Sequence, residues 1–185
     1  MNLKLLMTIF LIIIISGCIG GEKKDNIEEV GIMQNISISA EFKYGDVIPD
    51  KYSCMGNDVS PELSWTGIPE GVQSIVVIMD DPDAPGGTFV HWVLFDIPAT
   101  TQKLPAAVKK DKNLDDFSRQ GMNDFGDVGY GGPCPPPGKP HRYYFRIYAL
   151  DKMLELMPGA SKSQVDSAME GHILAKGELM GIYKR

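Results

Sequence analysis

The run Ser74-Ile75-Val76-Val77-Ile78-Met79 constrains this chain's fold more than any other feature. After Ser74 it is apolar and largely β-branched, with no polar residue to face water on alternate positions. Such a run reads as a central strand buried on both faces, so material must cover it from two sides. Ile36-Ser37-Ile38-Ser39-Ala40-Glu41-Phe42 alternates instead, which predicts a strand with one buried face. Phe89 to Ile97 and Tyr143 to Leu150 read as two more strands, and Glu178 to Tyr183 as a short closing one. Tyr52 to Trp65 is turn-rich and passes into a short strand.

One segment is helical. Ser161 or Ser163 can cap it, and Val165, Ala168, Met169, His172 and Ile173 fall at helical spacing. On that stripe His172 is expected to be a packed core histidine. The elements together predict an all-β, β-rich sandwich with one helix in the C-terminal region. With 13 prolines and 20 glycines the joints are shaped turns and loops rather than helical connections. From Ala99 to Pro140 about 40 residues show little periodicity, a length of loop that is usually functional. It closes in Tyr130-Gly131-Gly132-Pro133-Cys134-Pro135-Pro136-Pro137-Gly138, a loop stiffened by proline and able to offer backbone N–H groups.

The N-terminus bears on location. A basic start precedes an apolar run from Leu5 to Ile15. At about 11 residues it is short of the roughly 20 needed to span a bilayer, and it has the flanks of a signal segment. Ile15-Ser16-Gly17-Cys18 resembles a lipoprotein processing box, with Cys18 as the lipidated residue. The expected organisation is a signal peptide over 1–17, lipidated Cys18 with a polar tether over 18–33, and one domain over 34–185. The location expected is the extracytoplasmic face of the cell membrane, held by a lipid anchor. Of three cysteines, Cys54 and Cys134 remain. In that compartment a disulfide is expected of them, with a free buried pair as the alternative; no metal site is indicated by their spacing. A net charge of −6 without a basic stripe argues against nucleic acid as a partner.

Two segments carry chemistry. Asp80-Asp81-Pro82-Asp83-Ala84-Pro85 ends the buried run, with His91-Trp92 opening the next strand; taken alone, this is an acidic turn. His141-Arg142-Tyr143 opens its own strand, and alternation puts His141 and Tyr143 on one face and Arg142 on the other. Taken alone, Tyr143 belongs to the core and Arg142 pairs with an acidic turn residue.

Read in order, DPDAP, HW, GPCPPPG and HRY resemble the phosphatidylethanolamine-binding protein family, in its bacterial and archaeal, Raf kinase inhibitor-like branch. Asp58-Val59-Ser60-Pro61-Glu62-Leu63-Ser64-Trp65 and Asn123-Asp124-Phe125-Gly126 add to the resemblance, which runs from about Ile36 to the C-terminus. It implies an antiparallel two-sheet sandwich with a small surface pocket for phosphate-type anions and phosphorylated head groups. The implied lining is Asp81, Asp83, His91, His141 and Tyr143, with Gly132 and Pro133 at the rim. Met122 departs from the pattern, standing where many relatives carry arginine.

In such a pocket His91 and His141 would donate to phosphate oxygens, helped by the Tyr143 hydroxyl and loop N–H groups. At least one aspartate would orient an imidazole; the alternative role is to receive an ammonium group. The function expected is binding of a small anionic or phosphorylated ligand without cofactor, with inhibition of a protein target such as a serine protease as a related role. A phosphoesterase-like hydrolase using the His/Asp pocket is the alternative. An edge strand or the long loop leaves pairing with a second copy open.

Overall fold

A computed structural model describes residues 34–185. The signal segment expected over 1–17, Cys18 and the tether expected over 18–33 lie outside the described residues. Nine strands and one α-helix follow in chain order. They are β1 (Gln34–Asn35), β2 (Ser37–Ser39), β3 (Leu63–Thr66), β4 (Ser74–Asp81), β5 (Phe89–Pro98), β6 (Lys103–Leu104), β7 (Arg119–Gln120) and β8 (His141–Leu150), then α1 (Lys162–Met169) and β9 (Ile173–Tyr183).

Two sheets form: a six-stranded one in the order β1-β9-β8-β4-β5-β7 and a three-stranded one in the order β2-β3-β6. Neighbours are antiparallel apart from β1, which runs parallel to β9. The β-rich sandwich expected from the strand pattern is the observed architecture.

The unbroken apolar run explains itself in this topology. Ile75, Val77 and Met79 of β4 enter the core between the two sheets, against Leu63, Trp65 and Leu104. Val76 and Ile78 point the opposite way, into a second core with Leu154, Val165 and Met169 beneath α1. Every residue of β4 is therefore buried, and no position can be polar without a partner. Asp80 and Asp81 end the strand because each finds one: Asp80 meets Arg146, and Asp81 turns inward to the site described below.

Two expectations change. The helix stops at Met169, so His172 and Ile173 lie beyond it. Gly171 takes φ +78°, a left-handed conformation that ends the helix and starts β9. His172 is consequently not a core residue; it is partly exposed, with Nδ1 2.8 Å from Asp151 Oδ1. The apolar spacing continued past the helix because Ile173 serves the strand. At the other end Ser161 is the cap, in a reciprocal capping box with Gln164.

The closing strand is also longer than expected, covering Ile173–Tyr183. Gly177 and Gly181 masked it. A Cβ at Gly177 would collide with the Ile36 main chain, and one at Gly181 with Ile48 and Phe42, so glycine lets the N-terminal segment cross β9 closely.

Candidate functional site

At one end of the core between the sheets lies a pocket of about 170 Å³. Three strands supply its polar groups. Asp81 comes from the inward-facing row of β4, and His141 and Tyr143 from the inward-facing row of β8, as the alternation of that strand requires.

His91 gets there by a different route. Along β4 and β5, Met79 pairs with Trp92 while Asp80 pairs with Val90, so His91 is the extra residue of a β-bulge. Val90 packs under the helix side and Trp92 in the inter-sheet core. The bulge leaves His91 facing the pocket beside Trp92. Its main chain, freed from the ladder, is paired elsewhere: the Gly131 amide donates to the His91 carbonyl at 2.8 Å.

Each imidazole is fixed through Nδ1. His91 Nδ1 lies 2.7 Å from the Gly131 carbonyl oxygen. That oxygen can only accept, so the proton sits on Nδ1. His141 Nδ1 lies 2.7 Å from Asp81 Oδ2, while Asp81 Oδ1 accepts the Asp83 amide at 2.8 Å. A carboxylate held from both sides in this way orients the ring and leaves Nε2 for the pocket. Tyr143 supplies the remaining group. Its hydroxyl is buried close to the Asp81 carboxylate but forms no well-aligned hydrogen bond within the protein. Among the described residues it is the one buried side-chain oxygen or nitrogen in that state.

Burial sets the titration of these groups. It pulls the His91 pKa below its usual 6.5 against the opposing pull of the Gly131 carbonyl and the Asp81 carboxylate. Burial, and then the Asp81 charge, push the Tyr143 phenol well above its ordinary range, so it stays a neutral donor.

Aromatic and proline side chains make the walls. Phe89, Phe125 and Tyr143 each set a ring centroid 5.1 to 5.3 Å from that of His91. Phe125 is carried by a turn that Asn123 organises, with Oδ1 accepting from the Phe125 and Asp127 amides. Asp124 latches the turn to β5 by accepting from the Val90 amide at 2.7 Å. Asn123-Asp124-Phe125-Gly126 thus has a mechanical reason to be present: it sets an aromatic lid residue over the histidine. Met122, just before it, is outside the pocket and exposed.

Three of the residues expected at the pocket stand elsewhere. Asp83 faces outward and binds Arg142, with Oδ1 to Nη2 at 2.7 Å and Oδ2 to Nε at 2.9 Å. That guanidinium holds its carboxyl down at about 2. Gly132 and Pro133 do not form the rim. Gly132 lines a neighbouring cavity of about 530 Å³, its amide consumed by Asp58 Oδ1 at 2.6 Å. A side chain there would strike the Tyr52 carbonyl, so the glycine serves close packing. The rim is made one step later, by Cys134, Pro135 and Pro136, with Ala84 and Pro85 opposite. The loop amides of Gly131 and Gly132 are therefore not available to a ligand.

Cys134 is joined to Cys54 by a disulfide with Cα atoms 5.4 Å apart, across 80 residues of sequence. It borders both cavities. Phe89, Phe125, Pro135 and Pro136 were not singled out as lining residues from sequence. Their position within the DPDAP-to-HW, Asn123-Asp124-Phe125-Gly126 and GPCPPPG segments was the only available signal. Among the described residues no cluster of His, Cys, Asp and Glu is suited to a metal, and no helix is long and apolar enough to cross a membrane.

A β-sandwich with a small pocket of two histidines, a carboxylate and a tyrosine at one end of its core is a known class of domain. The family model for phosphatidylethanolamine-binding protein matches residues 38–184, and the chain belongs to that family. A UPF0098 protein of Pyrococcus horikoshii is 44% identical over 178 residues, covering 95% of this chain and 85% of its own. A UPF0098 protein of Aquifex aeolicus is 51% identical over 149 residues, 80% of this chain and 86% of its own. Among solved structures, a phosphatidylethanolamine-binding protein homologue from Chlamydia trachomatis superposes with TM-score 0.75 at 39% identity, over 82% of this chain and 98% of that one. YbcL of Escherichia coli, described as a member of the mammalian family, gives 0.76 at 34% identity, over 82% and 99%.

Proposed function

We propose that this protein captures a small oxyanion-bearing, phosphorylated head group in the 170 Å³ pocket and releases it unchanged. The observation that carries the reading is the Tyr143 hydroxyl, buried and without a well-aligned protein partner at the point where His91 and His141 converge. A buried polar atom left unpaired costs about 1–3 kcal/mol, a cost that a bound oxygen would relieve. The volume suits a head group rather than a whole lipid or a folded partner. The N-terminal pattern around Cys18 supports presentation from the outer face of a cell membrane.

A hydrolase is the second reading, favoured by the Asp81–His141 contact at 2.7 Å, which resembles a base with its orienting carboxylate. The pocket lining has no serine or threonine to act as nucleophile, and its one cysteine is in the disulfide. A hydrolytic route would have to run through water.

Calorimetric titration of the full chain in detergent with phosphate, phosphoethanolamine and phosphotyrosine tests the proposal. Saturable heat that disappears in His141→Ala, with each ligand recovered intact, is the expected result. Release of inorganic phosphate from either ester, lost in the same variant, would replace binding by hydrolysis. No heat from any of the three would move a protein-surface role, such as protease inhibition, to the front.

A further inference from the structure

The two sulfurs of the Cys54–Cys134 bridge stand in different surroundings. Cys54 is exposed and lines the larger, 530 Å³ cavity, whereas Cys134 is half-buried between two buried prolines, Pro133 and Pro135. A reagent from solution therefore has its open approach at Cys54. The segments that carry the cysteines are also joined without the bridge. The Cys54 amide donates to the Pro133 carbonyl at 3.2 Å, the Gly132 amide to Asp58 Oδ1 at 2.6 Å, and the Tyr130 hydroxyl to the Tyr52 carbonyl at 2.7 Å. These contacts keep the two thiols neighbours in the fold once the bond is open, so it can close again. Exposed disulfides are the ones that exchange readily.

A second observation is independent of access. Arg185 Nη1 stands 3.6 Å from Cys134 Sγ. Two residues earlier, Tyr183 ties the chain to the turn that carries Cys54. Its hydroxyl donates to Asp50 Oδ1 at 3.0 Å and lies 2.8 Å from Ser53 Oγ. A cation beside one sulfur of a disulfide stabilises that sulfur as a thiolate, and in exchange the more stable thiolate is the one expelled. Access and charge point the same way: attack falls on Cys54, and Cys134 leaves.

We propose that the Cys54–Cys134 bridge is a thiol-exchange site with a fixed direction, opened by a dithiol at Cys54 with Cys134 as the leaving thiolate. One thiolate of the dithiol attacks Cys54 Sγ. A mixed disulfide forms there as the Cys54–Cys134 bond breaks, and the electron pair of that bond leaves on Cys134 Sγ beside Arg185. The second thiol, as its thiolate, then displaces Cys54 and closes the reagent's own disulfide. The two cysteines end reduced by two electrons and carry the two protons the dithiol gave up. The exchange does not depend on what the smaller pocket binds.

Glutathione, a monothiol that stops at the mixed disulfide, reads the direction. The full chain in detergent is exposed to it briefly without denaturant, trapped with iodoacetamide and mapped by peptide mass spectrometry. Glutathione on Cys54 with the alkyl group on Cys134 should outnumber the reverse adduct by about tenfold. In Arg185→Gln the exchange should slow and the bias shrink toward parity, while Arg185→Lys, which keeps the charge, should retain most of both. Dithiothreitol should make both cysteines alkylatable in the folded protein, and oxidised glutathione should restore the bridge. A reverse adduct that equals or exceeds the expected one, or a bias unchanged in Arg185→Gln, would overturn the direction. A bridge that opens only in urea that unfolds the chain would overturn the exchange site altogether. Arg185 is exposed, so its variants test the chemistry without threatening the fold.

Discussion

Tyr143 concentrates the conflict between stability and binding in one atom. Its ring is core; its hydroxyl has no well-aligned partner. Tyr143→Phe should therefore weaken phosphate binding about tenfold while leaving urea stability unchanged or raised by up to about 1 kcal/mol. Loss of both would mean that the hydroxyl has a structural partner. Titrations of single groups should also show in stability. The folded pKa of His91 lies below 6.5, so as pH falls the unfolded chain takes the proton first. The contribution of the neutral ring is full above 6.5 and is lost as pH drops beneath it. Asp83 behaves in the acid range: its contribution is full above 3.8 and is lost as pH falls toward about 2. Because the Asp83–Arg142 pair is largely solvent-facing, added salt should shrink that second step. Urea midpoints across pH should lose the near-neutral step in His91→Gln and the acid step in Asp83→Asn. Sequence placed Asp81, His91, His141 and Tyr143 in one group through resemblance to the family. It placed Asp83 there too, because spacing along a turn does not reveal which way a carboxylate faces once Arg142 competes for it.

At the scale of elements, local patterning served where burial is uniform and failed where neighbours decide. β4 was legible because both its faces are covered. The bulge at His91 was not, since an extra residue is visible only when β4 and β5 are in register. The overlong helix reading followed apolar spacing and passed over the stop signal at Gly171. β9 was read short because its glycines answer to the close crossing of Ile36 and Ile48, a tertiary demand. The rim loop depends on a covalent tie: reduction of Cys54–Cys134 frees a span of 80 residues. It is expected to lower stability by about 2–4 kcal/mol, by the usual loop-closure argument. The native protein should resist thiol alkylation until reduced; rapid labelling of both cysteines in untreated protein would refute the bridge. At the helix start, Ser161→Ala removes the capping box and should cost about 0.5–2 kcal/mol in urea unfolding.

For the whole molecule, the sandwich is scaffold and the function lies at one end of it. The two cores on either face of the six-stranded sheet hold β4 and β8 rigid, which keeps Asp81, His141 and Tyr143 in fixed relation. Location belongs to this scale as well. If Cys18 anchors the protein, Cys18→Ser should move it from the membrane pellet to the soluble extracytoplasmic fraction without altering ligand affinity. Retention in the pellet would point to another mode of attachment.

The chain has three histidines, and they form a built-in control for the central claim. His91 and His141 line the pocket, whereas His172 pairs with Asp151 and does not line it. Imidazole resonances followed by NMR during titration with methyl phosphate should move saturably and together for His91 and His141 and stay still for His172. Static pocket histidines at saturating ligand, or a response confined to His172, would contradict an anion site at this end of the sandwich.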